Sequence, residues 1–279
     1  MLEGNYAGFD LQISDAGIGV ITFNRPERLN SFNIAMKRDL IEALTQLQYD
    51  DKSKVVVFTG TGRAFSSGDD VGHAFDDAHW ADARSHQVKK TRKDNLGTYS
   101  SLRTISQTLT RTVRNLDKIT IAALNGAAIQ SGFSLALACD FRLTVPKTKL
   151  GSATIRMGYM PDEGGHHLLV QMLGVAKAKD FLLRSRIVDG PTALALGLVN
   201  EVVEPEQLME RAMELATEFA EGPQTALRLL KHAIDNAADM TFEQACMDIA
   251  TRTAISDHHP DSREGWRAFV ERRKPKFGG

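Results

Sequence analysis

Residues 119–138 read Ile-Thr-Ile-Ala-Ala-Leu-Asn-Gly-Ala-Ala-Ile-Gln-Ser-Gly-Phe-Ser-Leu-Ala-Leu-Ala. The stretch begins with a continuous apolar run, typical of a strand that is buried on both faces, and then turns at Gly126. An apolar helix is predicted over residues 131–138, and residues 141–145 form the next apolar run. This order of strand, glycine turn, helix and strand favours an α/β fold with a mainly parallel sheet.

The same alternation extends towards both ends of the chain. Strands are predicted at residues 9–13, 18–23 and 55–58, and a helix at 33–47. From residue 164 onwards the sequence is mainly helical. The expected helices there lie near residues 168–173, 176–184, 191–196, 206–220, 223–237, 242–255 and 261–272, and a strand-like run covers 198–203. We therefore expect an α/β core over residues 1–200 and a helical region over 201–279.

Composition excludes several classes of partner. The 279 residues carry 34 Lys and Arg against 35 Asp and Glu, so no strongly basic surface is expected to attract nucleic acid or an anionic membrane. No apolar run approaches the ~18 residues of a spanning helix, and the first residues lack the pattern of a secretory signal. Two cysteines, Cys139 and Cys246, are too few for a disulfide framework. We expect a cytoplasmic protein.

Two turns contain the small residues that let backbone amides approach a ligand. The first is residues 64–70, Ala-Phe-Ser-Ser-Gly-Asp-Asp, and the second is residues 125–134, which opens the predicted helix. The first amides of a helix lack partners within it. If the turns converge, two N–H groups form an oxyanion hole, worth about 3 to 4 kcal/mol per donor to a developing negative charge. The alternative is that both are ordinary strand-to-helix turns.

Several motifs in chain order resemble the crotonase, or enoyl-CoA hydratase/isomerase, superfamily. They extend over nearly the whole chain. The motifs are Ile-Thr-Phe-Asn-Arg-Pro-Glu-Arg-Leu-Asn-Ser-Phe at 21–32, Phe-Thr-Gly at 58–60 leading to 64–71, Ile-Ala-Ala-Leu-Asn-Gly at 121–126, Leu-Ala-Leu-Ala-Cys-Asp at 135–140, Gly-Tyr-Met-Pro-Asp-Glu-Gly-Gly at 158–165, Ala-Leu-Gly-Leu-Val-Asn-Glu-Val-Val at 195–203 and Phe-Val-Glu-Arg-Arg-Lys-Pro at 269–275.

The resemblance implies a spiral of repeated ββα units that assembles as a homotrimer or homohexamer. It implies an acyl-CoA substrate, with coenzyme A as part of that substrate and no separate cofactor. The thioester carbonyl is expected between the N–H groups of Asp69 and Ser131, where Ser131 replaces a glycine. The resemblance also places Arg28 near the CoA phosphates, the backbone of Ser66 to Gly68 near the adenine, and the tail of the same or a neighbouring subunit at the end of that cleft. The substrate-binding positions implied in this way are Arg28, Ser66, Ser67, Gly68, Gly132, Ser134, Thr154, Lys274 and Phe277.

The sequence departs from the hydratases of this family at two positions. Hydration there uses two glutamates around one water, and the matching positions hold Ser134 and Thr154. A hydroxyl group does not replace a carboxylate as a general base near neutral pH. Ordinary hydration by that pair of residues is therefore not expected.

Another group of ionisable residues follows. Asp162 lies where some members of the family carry a catalytic aspartate, and its alternative role is to cap the next helix. Glu163 is a second candidate acid or base, and neighbours on a turn rarely face one pocket. His166 is a further candidate, since imidazole titrates near neutrality, although a surface histidine is the plainer interpretation. Asp69 and Asp70 lack further ligands, and the spacing of His73, His79 and His86 is not that of a zinc site, so no metal is expected.

We expect the protein to be an enoyl-CoA isomerase that moves a proton through an enolate, with Asp162 as the acid and base. One alternative is a hydrolase or carbon–carbon lyase of a β-dicarbonyl CoA ester that uses His166 or Glu163. Another is an acyl-CoA binder without catalysis. The polar stretch over residues 71–117 is expected to form a wall of the acyl pocket, which favours a larger acyl group.

Overall fold

The computed structural model describes residues 4–70 and 94–278. Eleven strands lie within these ranges. They are β1 (Gly4–Tyr6), β2 (Phe9–Ile13), β3 (Ile18–Phe23), β4 (Val55–Gly60), β5 (Ala64–Ser66), β6 (Ile119–Leu124), β7 (Ala127–Ile129), β8 (Phe141–Thr144), β9 (Leu150–Gly151), β10 (Ile187–Val188) and β11 (Glu201–Val202). One sheet has the order β1-β2-β3-β4-β6-β8-β11, with antiparallel pairing from β1 to β3 and parallel pairing after it.

A second, smaller sheet has the order β10-β9-β7-β5. Its strands β5 and β7 follow β4 and β6 directly in the chain, so each long strand of the first sheet continues into a short strand of the second. β5, β7 and β9 pair in parallel, which aligns the turns that follow β5 and β7. The repeated ββα unit of the crotonase-like spiral is therefore confirmed.

Ten α-helices accompany these strands within the described ranges. They are α1 (Ile34–Tyr49), α2 (Asn95–Ser101), α3 (Gln107–Arg114), α4 (Ser131–Ala138), α5 (Gly165–Leu183), α6 (Gly190–Leu196), α7 (Leu208–Ala220), α8 (Gln224–Ala237), α9 (Phe242–Asp257) and α10 (Pro260–Glu271). None is both long and apolar enough to cross a membrane.

The central strand β4 shows why the apolar runs of the sequence are continuous. Val56 and Phe58 belong to the core cluster that α1, α3, α4 and α5 cover, whereas Val55 and Val57 belong to the cluster on the other face, which α7 covers. All four side chains are fully buried. Since successive side chains of a strand point to opposite faces, a strand between two helical layers needs apolar residues at every position.

Most predicted helices are present with small shifts of their ends. The side chain of Asn33 caps α1 by accepting from the Met36 amide, so the helix begins at Ile34. The two helices predicted on either side of residue 174 are present as the two halves of α5, which Gly174 separates with a non-helical conformation of φ 73° and ψ 163°. The strand-like run at 198–203 contributes only two residues, β11.

A role of residues 71–117 as a wall of the acyl pocket stays a prediction, but the second half of this stretch has regular structure. Residues 94–117 are mainly helical, with a π-helical segment Leu102–Ser106 between α2 and α3. Leu109 and Val113, four residues apart, bury one face of α3 in the core. The polar residues Thr110, Arg111 and Thr112 between them hid this apolar period in the sequence. Residues 71–93 lie outside the described residues.

The boundary expected at residue 200 stays a prediction, and the first elements beyond it pack on the large sheet. β11 pairs with β8, and α7 packs on the large sheet. α8, α9 and α10 follow, and they leave several large apolar side chains exposed, namely Leu230, Ile234, Phe242, Met247, Ile249, Ile255, Trp266, Phe269 and Val270.

Candidate active site

The two glycine turns converge, as the sequence suggested for an oxyanion hole. A Cβ placed on Gly132 would lie 2.7 Å from both the carbonyl oxygen and the Cβ of Ser66, so only glycine permits this approach of α4 to the end of β5. The Ser131 hydroxyl donates to Asp69 Oδ1 at 2.8 Å across the same junction. Residues 66–69 and 130–132 therefore form one continuous site.

The turn after β5 is held by the segment that follows β3. The Phe32 amide donates to the Gly68 carbonyl at 2.8 Å, and the Asp70 amide donates to the Phe32 carbonyl at 3.0 Å. Gly68 has a φ of 99°, which glycine adopts without strain. An ion pair of 2.9 Å between Arg25 and Asp70 closes the turn. Arg25 of the Asn-Arg-Pro motif at 24–26 therefore has a structural role, because it holds the turn after β5 through Asp70.

Arg28 lies beside this turn. Its side chain is exposed, and its carbonyl oxygen accepts from the Ser67 hydroxyl at 3.5 Å. The Ser67 amide donates to the neighbouring Leu29 carbonyl at 2.9 Å. The structure therefore brings the Arg28 backbone beside Ser66, Ser67 and Gly68, and a CoA subsite there stays a prediction.

Ser131 presents its amide as the family's glycine would. It is the first residue of α4, and its φ lies outside the left-handed region, so its side chain adds no backbone strain. The amides of a helix's first turn have no acceptors within the helix and lie at the positive end of its dipole. The Ser131 N–H thus suits an anionic oxygen.

The Asp69 amide has a partner that the sequence analysis missed. It donates to Oε1 of Gln130 at 3.1 Å. Gln130 immediately precedes α4 and has a φ of 51° and a ψ of −112°, a conformation that favours glycine. Its Nε2 donates to Glu163 Oε1 at 2.7 Å. Gln130 thereby connects the oxyanion-hole turn to the candidate acids.

Glu163 is the more deeply buried of the two neighbouring acids, with 2% of its surface exposed. Burial, and then the charges of Asp69 and Asp162, raise its pKa to about 8. The adjacent Asp162 carboxyl group therefore favours the protonated form of Glu163. The two neighbours therefore share one site, contrary to the expectation for adjacent residues on a turn.

Asp162 is half-buried, and its carbonyl oxygen accepts from Gln107 Nε2 at 3.0 Å. Asp162 Oδ1 and Glu163 Oε2 are both buried without a protein donor among the described residues. A proton held by one of the two carboxyl groups removes the repulsion between them. The capping alternative for Asp162 finds no support, since Gly164 is the N-cap of α5 and no side chain caps that end.

A buried lysine balances part of this negative charge. Lys37, on the core side of α1, lies with its Nζ 2.6 Å from Asp69 Oδ1 and donates to the Ser106 hydroxyl at 2.9 Å. The sequence contained a signal for it, because position 37 shares the buried helix face with Leu40 and Leu44. A lysine on such a face is seldom buried without a charged partner.

The two positions that match the hydratase glutamates hold buried hydroxyl groups. Ser134 is buried against Gly165 at the start of α5. The Thr154 and Ser152 hydroxyl oxygens are 3.2 Å apart, and both residues are buried.

His166 and the tail residues lie apart from these groups. His166 is exposed on the first turn of α5. Lys274 pairs with Glu221 at the end of α7, on the sheet face opposite α4, and Phe277 lies near Gly265 of α10. A role for Lys274 and Phe277 in the CoA subsite stays a prediction for a neighbouring copy of the chain.

Comparison with known proteins shows the family of the chain. The family profile described as enoyl-CoA hydratase/isomerase matches residues 14–279. The chain is 32% identical to the 1,2-epoxyphenylacetyl-CoA isomerase of Escherichia coli over 97% of its length and 98% of the relative's, and 28% identical to the crotonyl-CoA hydratase of Syntrophomonas wolfei over 93% and 94%.

A solved structure named as subunit I of an enoyl-CoA hydratase from Geobacillus kaustophilus superposes with a TM-score of 0.87 at 30% identity. The match covers 99% of this chain and all of the other. Profile, relatives and fold all extend over the converging turns and the acid pair. The chain belongs to the enoyl-CoA hydratase/isomerase family.

Proposed function

We propose that the chain is an acyl-CoA isomerase that moves a proton through an enolate held by the amides of Asp69 and Ser131. The observation that carries this proposal is the Asp162–Glu163 acid pair, which Gln130 connects by hydrogen bonds to the Asp69 amide. Such a pair supplies one carboxylate to take a proton and one carboxyl group that stays protonated near neutral pH.

In this mechanism the Asp162 carboxylate removes a proton from the carbon next to the thioester or from its vinylogous position. The C–H electron pair moves to the thioester oxygen, where the two N–H groups stabilise the negative charge. Asp162 then returns the proton to a different carbon, and the electrons flow back into the new double bond. Glu163 keeps its own proton and stabilises the negative charge on Asp162. Because Asp162 takes up one proton and returns one, the cycle neither consumes nor releases a proton.

The hydroxyl groups at Ser134 and Thr154 support an isomerase over a hydratase. Hydration needs a base that polarises water, and a hydroxyl group of ordinary pKa is a poor one. A relative named as an isomerase matches nearly the whole chain, although relatives named as hydratases match it as well. The alternatives of a hydrolase or carbon–carbon lyase lose one candidate base, because His166 is exposed.

The test is a panel of acyl-CoA thioesters incubated with the protein in deuterated water and followed by mass spectrometry. An isomerase gives a product with the elemental composition of its substrate, apart from deuterium exchanged for hydrogen at carbon. A hydrolase gives products whose summed mass is higher by one water. A pure binder yields neither change. Absence of both exchange and product from every thioester that binds would contradict the proposal.

The Asp162→Asn variant should lower turnover at least a hundredfold, because it removes the base while retaining the shape of the side chain. Acyl-CoA affinity should stay within about threefold, since the two amides that hold the carbonyl are unchanged. The control is Asp180→Asn on α5, whose carboxylate pairs with Arg184 and Arg186 rather than with a residue of the site, and which should keep full activity. Undiminished turnover by Asp162→Asn would remove Asp162 from the mechanism.

We also propose that the chain assembles as a homotrimer or homohexamer in the cytoplasm. The exposed apolar side chains of α8, α9 and α10 support assembly through this region.

A further inference from the structure

Gln130 competes for an amide that the proposed reaction needs. Its Oε1 accepts the Asp69 N–H at 3.1 Å, and this inference rests on the proposed role of that N–H in holding a thioester oxygen. One N–H cannot make two good hydrogen bonds to two oxygens at once. A thioester carbonyl that enters the hole must therefore take the place of the Gln130 side chain.

The side-chain amide of Gln130 is tightly packed and has a partner at each end. A Cβ on Gly68 would lie 2.9 Å from Gln130 Oε1, so the turn packs directly against the amide group. The other end of the same amide is held by Glu163, at 2.7 Å from Nε2 to Oε1. Both ends of the side-chain amide thus have specific partners, one of them buried.

The backbone of Gln130 gives a second and independent observation. Its φ of 51° and ψ of −112° suit glycine, and a residue with a Cβ is strained there. Backbone strain at a site is a reason to look for a function of the side chain that carries it. Here that side chain reaches the Asp69 amide.

We propose that Gln130 is a displaceable latch on the oxyanion hole, which opens when a ligand's carbonyl oxygen replaces the Gln130 oxygen at the Asp69 amide and which therefore weakens the binding of such ligands. The latch consists of the Gln130 side chain, the Asp69 N–H and the Glu163 carboxyl group. A ligand with a carbonyl group must break the existing hydrogen bond between the Asp69 N–H and Gln130 in order to occupy the hole. A ligand without a carbonyl leaves the latch closed and meets no such cost.

The experiment compares two ligands that differ in one oxygen. Butyryl-CoA carries the thioester carbonyl, and S-butyl-CoA is the thioether without it. Neither has a double bond to shift, so titration calorimetry measures binding rather than turnover. The Gln130→Ala variant should bind butyryl-CoA roughly three- to ten-fold more tightly than the unaltered chain, as expected for one net hydrogen bond. Its affinity for S-butyl-CoA should not change.

Gln130→Gly provides a second variant whose folding is not at risk, since glycine suits the φ of 51°. It should show the same selective gain. The matched control is Gln107→Ala, which removes a glutamine that contacts the Asp162 carbonyl but not the hole. Both affinities of this control should match those of the unaltered chain.

Three outcomes would overturn the latch: equal affinities for butyryl-CoA with and without Gln130, an equal gain for both ligands, or the same selective gain in Gln107→Ala. Failure of butyryl-CoA to bind any of the proteins would instead contradict the proposed acyl-CoA function, and the latch with it. The two failures are therefore distinguishable in one set of titrations.

Discussion

At the scale of single residues, the site depends on how charge is distributed among neighbours. Lys37 lies 2.6 Å from Asp69, which leaves Asp162 and Glu163 to share the buried region beyond Gln130. Three carboxyl groups near one buried ammonium group cannot all be ionised without a cost. Burial, together with the neighbouring acids, raises the pKa of Glu163.

This shift makes the stability of the protein depend on pH. The folded pKa of Glu163, about 8, lies above its ordinary value of 4.5, so between these values the folded state binds more protons than the unfolded state. The contribution of Glu163 to stability is therefore most favourable below pH 4.5 and is lost as the pH rises to about 8. Glu163→Gln stays neutral throughout, and its melting temperature should exceed that of the unaltered chain at pH 9.

Melting curves at pH 5, 7 and 9 test this expectation. The melting temperature of Glu163→Gln should exceed that of the unaltered chain most at pH 9, and the difference should shrink towards pH 5. The exposed Glu42 on α1 offers a control, since Glu42→Gln should not change the difference between pH 5 and pH 9. A pH-independent difference between Glu163→Gln and the unaltered chain would show that this carboxyl group does not titrate in the expected range.

At the scale of elements, the approach of α4 to the turn after β5 depends on Gly132. An added methyl group would meet the Ser66 backbone, which cannot move away cheaply because β5 is paired with β7. Gly132→Ala should lower the free energy of unfolding by about 1 to 3 kcal/mol, as overpacking does elsewhere. It should also weaken acyl-CoA binding by separating the two amide donors.

Gly265→Ala is the matched helical control. A Cβ there would lie 3.6 Å from the Phe277 ring, an ordinary contact, and alanine favours a helix by up to about 1 kcal/mol over glycine. Urea denaturation of both variants measures the contrast. Equal stability changes at the two glycines would mean that the contact between α4 and Ser66 tolerates a side chain.

At the scale of the whole molecule, the last helices expose more apolar surface than a lone chain ordinarily would. Trp266 and Phe269 of α10 stack at 6.2 Å and are 70% and 77% exposed. Light scattering should give a mass three or six times the 30.7 kDa of one chain. Phe269→Glu should shift the protein towards smaller species, because it places a charge in the expected interface.

Tyr49→Glu changes an aromatic residue on α1 that is 82% exposed and should keep the mass of the assembly. A monomeric mass for the unaltered chain at micromolar concentration would contradict the proposed assembly.

Local patterns along the chain were enough to predict most of the fold. The continuous apolar run of β4 implied a strand between two layers, the helix of residues 131–138 was predicted to the residue, and ordered motifs indicated the family. Each of these features is encoded over a short stretch, where the spacing of side chains directly reflects strand or helix geometry. α3 was missed because threonines and arginines surround its two buried apolar residues and obscure their period.

The arrangement of the site was decided only by the tertiary structure. Sequence adjacency suggested that Asp162 and Glu163 face apart, whereas the chain buries Glu163 beside Gln130. Gln130 and Lys37 lie 61 and 32 residues from Asp69 along the chain, and nothing local to them indicates that contact. The sequence by itself determined the strands, helices and turns of this protein. Which ionisable groups share a proton depended on distances and burial that exist only after the elements have packed.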